Sequence, residues 1–396
     1  MPRSLIVVSR DHGELGFASS FLRGQALSER ALLMLPPNHY ETNKDTLPAT
    51  TVPLGSVDDI VRTVDVHQPA VVFLFSGYLL SQDGILSRES LDSLLQLLRQ
   101  RGCRIVTSDP FLGLASRLTV SQINIRMTGA DIRGWYGFLL RLGLRLLPAG
   151  TNMTVPSLED AVHLYPTAAP DTADGVTRRA FFNPHICRPA EPLRTAGAET
   201  TNAAAPTWLF ILSSTDLHLQ RRILGTRGVI RQLAGLLWYT HEAGRRATLI
   251  APRSITQELA ARLPDSAAEL LSGCPFAEFE ARVLAAEYVF YWNAFSFSQL
   301  ARLANEQPVF LFDRGHLART IKPFYEVARA CHFGGWEPTY LDPAQVLRAR
   351  DLENLAAIQK PALRALRERW QSLPTPDDLI SELAATPVVA GPPERQ

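Results

Sequence analysis

Three observations place this chain in the α/β class, as two Rossmann-like domains. Short, wholly apolar runs such as VVFLF at 71–75 and YVFYW at 288–292 alternate with helical patterns in both halves. Runs of that kind are typical of parallel strands covered on both faces. A stretch rich in Ala, Thr and Pro, with little periodicity, separates the halves at 166–206 and reads as a linker. The chain also has 396 residues, more than the roughly 250–300 that one hydrophobic core usually serves.

In the first half the strands expected are Leu5–Val8, Ala31–Leu35, Val71–Phe75 and Arg104–Thr107. Helical spacing covers about 17–29, 57–66 and 86–101, the last closed by Gly102. The apolar run after the first four residues has no small-residue cleavage site behind it, so it reads as a first strand rather than a signal peptide. Within the linker, a short ordered piece is expected around Phe181–His185.

Alternation restarts after Pro206. Strands are expected at Trp208–Leu212, Ala247–Ala251, Glu269–Leu271, Tyr288–Trp292 and Val309–Phe312, with helices at about 218–243, 254–263, 276–286 and 297–305. The end of the chain reads as helical from about 343 to 385, then as a frayed tail.

Bulk composition narrows the function classes. Apolar residues make up 46% and charged residues 20%, ordinary for a globular protein. Forty Lys and Arg against 39 Asp and Glu leave a net charge of +1, which argues against a nucleic-acid partner. Lysine occurs only at Lys44, Lys322 and Lys360, a bias that reads as coding preference rather than chemistry. Cys103, Cys187, Cys274 and Cys331 are scattered, with no CxxC, so neither a zinc site nor a disulfide framework is expected. No apolar stretch approaches the ~20 residues that span a bilayer, and a cytoplasmic setting is the expectation. The segment 131–148 does place Arg133, Arg141 and Arg145 on one arc of a helix with Trp135, Phe138 and leucines elsewhere around it. That pattern suits peripheral contact with a membrane surface, and equally a helix packed on a sheet with its arginines in water.

The most informative stretch is 287–312, EYVFYWNAFSFSQLARLANEQPVFLF. A buried strand opens into a loop bearing Asn293, Ser296 and Ser298, and a helix then leads to a Pro-opened second strand. Such an arrangement sets backbone N–H groups and hydroxyls around a phosphate. Ser213-Ser214-Thr215-Asp216 repeats the theme after Trp208–Leu212, ahead of a helix carrying Arg221 and Arg222. Ser, Thr, Asn and Asp are also the residues that cap helices, so either loop alone reads equally as a cap. Asp313-Arg314-Gly315-His316 follows the last strand: Asp313 could accept from a ribose or sugar hydroxyl and His316 could contact phosphate or sugar, while an Asx turn with a surface histidine reads the same.

Near the N-terminus, Ser9-Arg10-Asp11-His12-Gly13-Glu14-Leu15-Gly16 follows the first strand. Asp11, His12 and Glu14 are candidates for a general base, at least one of them serving as a helix cap instead. Ser76-Gly77-Tyr78 and Ser108-Asp109-Pro110 also end strands and read first as turns. The spacing is not GxGxxG, which weakens a hydride-transfer enzyme.

Two Rossmann-like domains, a middle linker, a short Gly-containing loop after the first strand and a terminal helical segment resemble the GT-B fold glycosyltransferases. SQLARLANEQPVFLF is similar to that family's stretch behind the phosphate loop. The resemblance implies an N-terminal acceptor domain at 1–165, the linker at 166–206, a donor nucleotide domain at 207–375 and a helical end with tail at 376–396. It implies a nucleotide-sugar donor held by Ser214, Thr215, Arg222, Asn293, Ser296, Ser298, Asp313 and His316. Asp11 or His12 would be the base, the acceptor is unnamed, and no metal cofactor is required. Glu306 lacks the paired glutamate of one family signature, and Glu306-Gln307 stand before Pro308 where a Gly-Gly pair would be. The donor sugar is thus open. An epimerase or hydrolase on the same fold, and a catalytically silent binding protein, are the rival expectations.

Overall fold

The computed structural model describes residues 4–10, 12–24, 31–47, 50–82, 85–108, 135, 139, 158, 160–169, 177–187, 205–264, 267–315 and 322–385. Two compact units divide them. Those up to 117, from 152 to 185 and from 370 onward belong to the first; those from 118 to 151 and from 186 to 369 belong to the second.

The first unit is built on a seven-stranded, wholly parallel sheet of order β3-β2-β1-β4-β5-β6-β7. Its strands are β1 (Ser4–Val7), β2 (Ala31–Leu35), β3 (Thr50–Pro53), β4 (Val71–Leu74), β5 (Arg104–Ser108), β6 (Val162–Tyr165) and β7 (Arg178–Ala180). Helices α1 (His12–Leu22), α2 (Pro37–Asn43), α3 (Val57–His67), α4 (Gly77–Gln82) and α5 (Arg88–Gln100) link them. β1, β2 and β4 are buried at every residue, as both-face coverage of a parallel sheet requires. α5 shows how the sequence selects one face: Leu91, Leu94, Leu95 and Leu98 are buried at helical spacing, and Ser87 caps the start by accepting from the Ser90 N–H at 3.0 Å.

α1 begins at His12 rather than near 17, so Gly13, Glu14 and Gly16 lie in a helix and not in a turning loop. Tertiary packing overrides the two glycines: 14–22 are all buried, with Phe17 and Phe21 edge-on to Phe75 and Phe181. The stretch read as linker contains β7 and a 3-10 turn at Pro184–Cys187. The ordered piece expected there is present, anchored where Asn183 Nδ2 donates to the Ser20 carbonyl at 2.6 Å and to the Arg23 carbonyl at 2.9 Å.

The second unit carries a five-stranded parallel sheet of order β10-β9-β8-β11-β12. These strands are β8 (Thr207–Ile211), β9 (Arg246–Ile250), β10 (Glu269–Leu271), β11 (Tyr288–Tyr291) and β12 (Val309–Leu311). They alternate with α6 (Ser214–Glu242), α7 (Arg253–Ala260), α8 (Phe276–Ala285) and α9 (Ser298–Ala304), and α10 (Lys322–Phe333) and α11 (Ala349–Gln371) follow. Register pairs Trp208 with Tyr288, and Phe290 with both Phe210 and Phe310. One face is therefore aromatic, with Phe210 and Phe290 stacked at 4.7 Å and Phe290 and Phe312 at 5.5 Å. The other face presents Val289 and Tyr291, one residue out of phase.

The expected terminal helix is two helices. α11 carries the chain from the second unit to the first, and α12 (Pro376–Ala385) belongs to the first unit. There the Phe182 N–H donates to the Pro374 carbonyl at 3.0 Å, and Arg179 Nε pairs with Glu382 Oε1 at 3.2 Å. None of the four cysteines forms a disulfide. Among the described residues no helix is long and apolar enough to cross a membrane. The basic segment 131–148 lies outside the described residues except for Trp135 and Leu139, both exposed.

Candidate functional site

In the second sheet the chain runs outward from β8 to β10 and then returns to start β11 on the other side of β8. The loops after β8 and β11 thus flank the switch point, where open parallel sheets take their ligands. Ser213 ends the β8 loop and caps α6: its Oγ accepts from the Asp216 N–H at 3.1 Å and donates to Asp216 Oδ2 at 2.6 Å. Ser214 and Thr215 are exposed in the first turn, where helix N–H groups and the positive dipole end favour an anion. Arg222 is exposed farther along the same helix.

After β11 the loop is held from within. Asn293 Oδ1 accepts from the Phe295 N–H at 3.1 Å, and Gln299 Nε2 donates to the Asn293 carbonyl at 2.6 Å. Ser296 and Ser298 share a hydroxyl contact of 2.9 Å, and Ser298 Oγ donates to the Tyr291 hydroxyl at 3.2 Å. Complete burial pushes the Tyr291 phenol up to about 12, so it stays protonated in this chain of hydroxyls.

Asp313, just past β12, joins the two loops. Its Oδ2 accepts from Gln220 Nε2 of α6 at 3.1 Å and its Oδ1 from the Gly315 N–H at 3.3 Å. Gly315 has φ of +76°, and a Cβ there would stand 2.8 Å from Asn293 Cγ. A glycine is needed both for the left-handed backbone and for the close approach. Ser214, Thr215, Asn293, Ser296, Ser298 and Asp313 are thereby carried on three loops at one edge of one sheet, while His316 lies outside the described residues. Gln220, which ties α6 to Asp313, has no signal in the sequence, because its partner is 93 residues away along the chain.

Below the edge sits Arg302, fully buried in α9. Its guanidinium donates to the carbonyls of Val283 and Ala286 at 2.8 Å each and of Pro308 and Glu287 at 3.1 Å each. Burial lowers it to about 10, which leaves it charged at neutral pH. Beside Asp313, Arg314 stacks on Tyr325 and Tyr340, at 5.5 and 5.0 Å, and pairs with Glu337 at 3.0 Å.

In the first unit the switch point lies between β1 and β4. His12 opens α1 there, Asp11 is outside the described residues, and Glu14 is only 8% exposed. Glu14 Oε1 accepts from Ser76 Oγ at 2.6 Å and Oε2 from Ser108 Oγ at 3.2 Å. Ser76 has a positive φ of 44°, and its N–H donates to Ser108 Oγ at 2.7 Å. Left-handed backbone in a non-glycine residue, held by such bonds, is the kind of strain that gathers at functional edges.

No protein-family model and no curated protein matches the chain. Solved structures do. The spinosyn forosaminyltransferase SpnP aligns over 97% of this chain and 100% of its own, with a TM-score of 0.52 at 14% identity. The glycosyltransferase VinC in complex with dTDP aligns over 96% and 98%, with a TM-score of 0.52 at 11% identity. SnogD from Streptomyces nogalater aligns over 97% and 99%, with a TM-score of 0.52 at 13% identity. The chain therefore has the GT-B-type architecture that its sequence resembles.

Proposed function

We propose that this chain is a glycosyltransferase that moves a sugar from a nucleotide-sugar donor to an acceptor hydroxyl. The observation that carries this reading is the meeting of three polar loops at the switch point of the second sheet, tied together through Gln220, Asp313, Gly315 and Asn293. The hydroxyls of Ser296 and Ser298 suit the diphosphate, while Ser214 and Thr215 in the first turn of α6 offer further hydroxyls to the donor and Arg222 stands farther along the same helix. The neighbours of like fold are glycosyltransferases, and one was solved with dTDP.

The chemistry asks little of the protein: positioning, stabilisation of the departing nucleoside diphosphate, and one base for the acceptor. Glu14 is buried and already accepts from two hydroxyls. We assign it to holding the first turn of α1, and leave the base to His12 or Asp11, which follow β1 in the sequence. Helix dipole and hydroxyls take the place of a divalent cation, so EDTA leaves transfer unchanged.

A thermal-shift screen against UDP-, GDP-, dTDP- and CMP-sugars tests this. Ligand at a hundred times its Kd stabilises by about 2.7 kcal/mol. The combined change Ser296→Ala and Ser298→Ala should abolish the response to the sugar nucleotide that works. No response to any nucleotide would sink the reading, and an unchanged response in the double variant would move the donor elsewhere. Labelled donor then separates transfer from hydrolysis, which yields free sugar.

A further inference from the structure

Asp216 is the anomaly of the donor edge. It is 5% exposed, yet only one of its carboxylate oxygens is engaged. Oδ2 accepts from Ser213 Oγ at 2.6 Å, whereas Oδ1 is buried with no hydrogen-bonding partner. A buried acceptor left without a donor costs about 1–3 kcal/mol, more when charged, so such atoms call for a partner. The charge acting on Asp216 is that of Asp313, whose two oxygens are already taken by Gln220 Nε2 and the Gly315 N–H. Two carboxylates with one free oxygen make this corner hostile to phosphate and suited to a hydrogen-bond donor.

We propose that Asp216 Oδ1, beside Asp313, is a subsite for a hydroxyl of the bound donor, and that the diphosphate lies away from it, toward Ser296 and Ser298. The assignment rests on the donor reading above and extends it: Asp216 becomes the residue that reads a polyol. The hydroxyl belongs either to the transferred sugar or to the ribose, which share this chemistry. Burial, helped by the Asp313 charge and opposed by the Ser213 bonds, raises the Asp216 carboxyl to about 6. A hydroxyl donating to Oδ1 favours the ionised form, so binding should strengthen as pH rises through 6 and then level off. A phosphate at the same oxygen would need the carboxyl protonated and would give the opposite slope.

The test is calorimetric titration of the full chain with UDP-glucose, dTDP-glucose, UDP and dTDP from pH 5 to 8, for wild type and Asp216→Asn. The expected result is an affinity that rises with pH in wild type, and a loss of about tenfold with a flat pH profile in the variant. Loss for the sugar nucleotide alone assigns the hydroxyl to the sugar; equal loss for both assigns it to the ribose. Wild-type binding that weakens as pH rises, or equal affinity in Asp216→Asn, overturns the subsite and leaves Asp216 as a helix cap. Failure of wild type to bind any of the four contradicts the donor reading itself. The unfolding midpoint of the variant, read in parallel, separates a lost contact from a lost fold.

Discussion

Arg302 is the residue that ties together the segments leading into β11 and β12. Four carbonyls converge on its guanidinium from the end of α8, the turn before β11 and the residue before β12. Arg302→Met keeps the volume but orphans those acceptors, at about 1–3 kcal/mol for each buried one that finds no new donor. Chemical denaturation should show at least about 3 kcal/mol of lost stability; a loss within about 1 kcal/mol would mean that the carbonyls find other donors. Asp216 acts in the opposite sense. Its carboxyl titrates near 3.8 when unfolded and about 6 when folded. A raised folded value contributes stability that is full below the lower figure and lost as pH rises through the upper one. The unliganded protein should lose up to about 3 kcal/mol from this group between pH 4 and 7, and Asp216→Asn should flatten that part of the stability profile. An identical profile in the variant would remove the residue from the titration.

At the scale of elements, α6 departs most from its expected course. A continuous helix over 218–243 is expected, but α6 starts at Ser214 and breaks at Gly225, with φ 70° and ψ 163°. No atom lies within 4 Å of a Cβ placed there, so the obstacle to a side chain is backbone strain alone. Gly225→Ala should cost about 1–3 kcal/mol by thermal unfolding; no cost would show the break to be soft. Gly315→Ala adds a clash with the Asn293 side chain, and it should weaken nucleotide binding in proportion to the displaced loop. Central strands were legible because both faces are covered and their residues are apolar throughout. β3 was not: Thr50–Pro53 is half exposed and Pro-ended. β7 escaped because Arg178–Ala180 is short and charged inside a stretch of linker composition.

For the whole molecule, alternating strand and helix patterns were enough to show two parallel-sheet units and the GT-B resemblance. They did not show that 370–385 returns to the first unit, since that depends on Trp370 packing against Phe182, 188 positions away in sequence, with ring centroids 5.8 Å apart. The polar loops were legible as groups of small hydroxyl and amide residues after apolar strands. Their union was not, because Gln220 and Asp313 are 93 residues apart. Glu14 was legible as a candidate by its place after β1, whereas its hydrogen bonds to Ser76 and Ser108, 62 and 94 residues away, were not. The central claim is that the second unit binds a nucleotide diphosphate at the edge made by Ser214, Asn293, Ser298 and Asp313. The most direct test is a crystal structure with the nucleoside diphosphate that gives the largest thermal shift. Phosphate density is expected against Ser296 and Ser298, with a donor hydroxyl at Asp216; density bound in the first unit, or on the far edge of the second sheet, would contradict this.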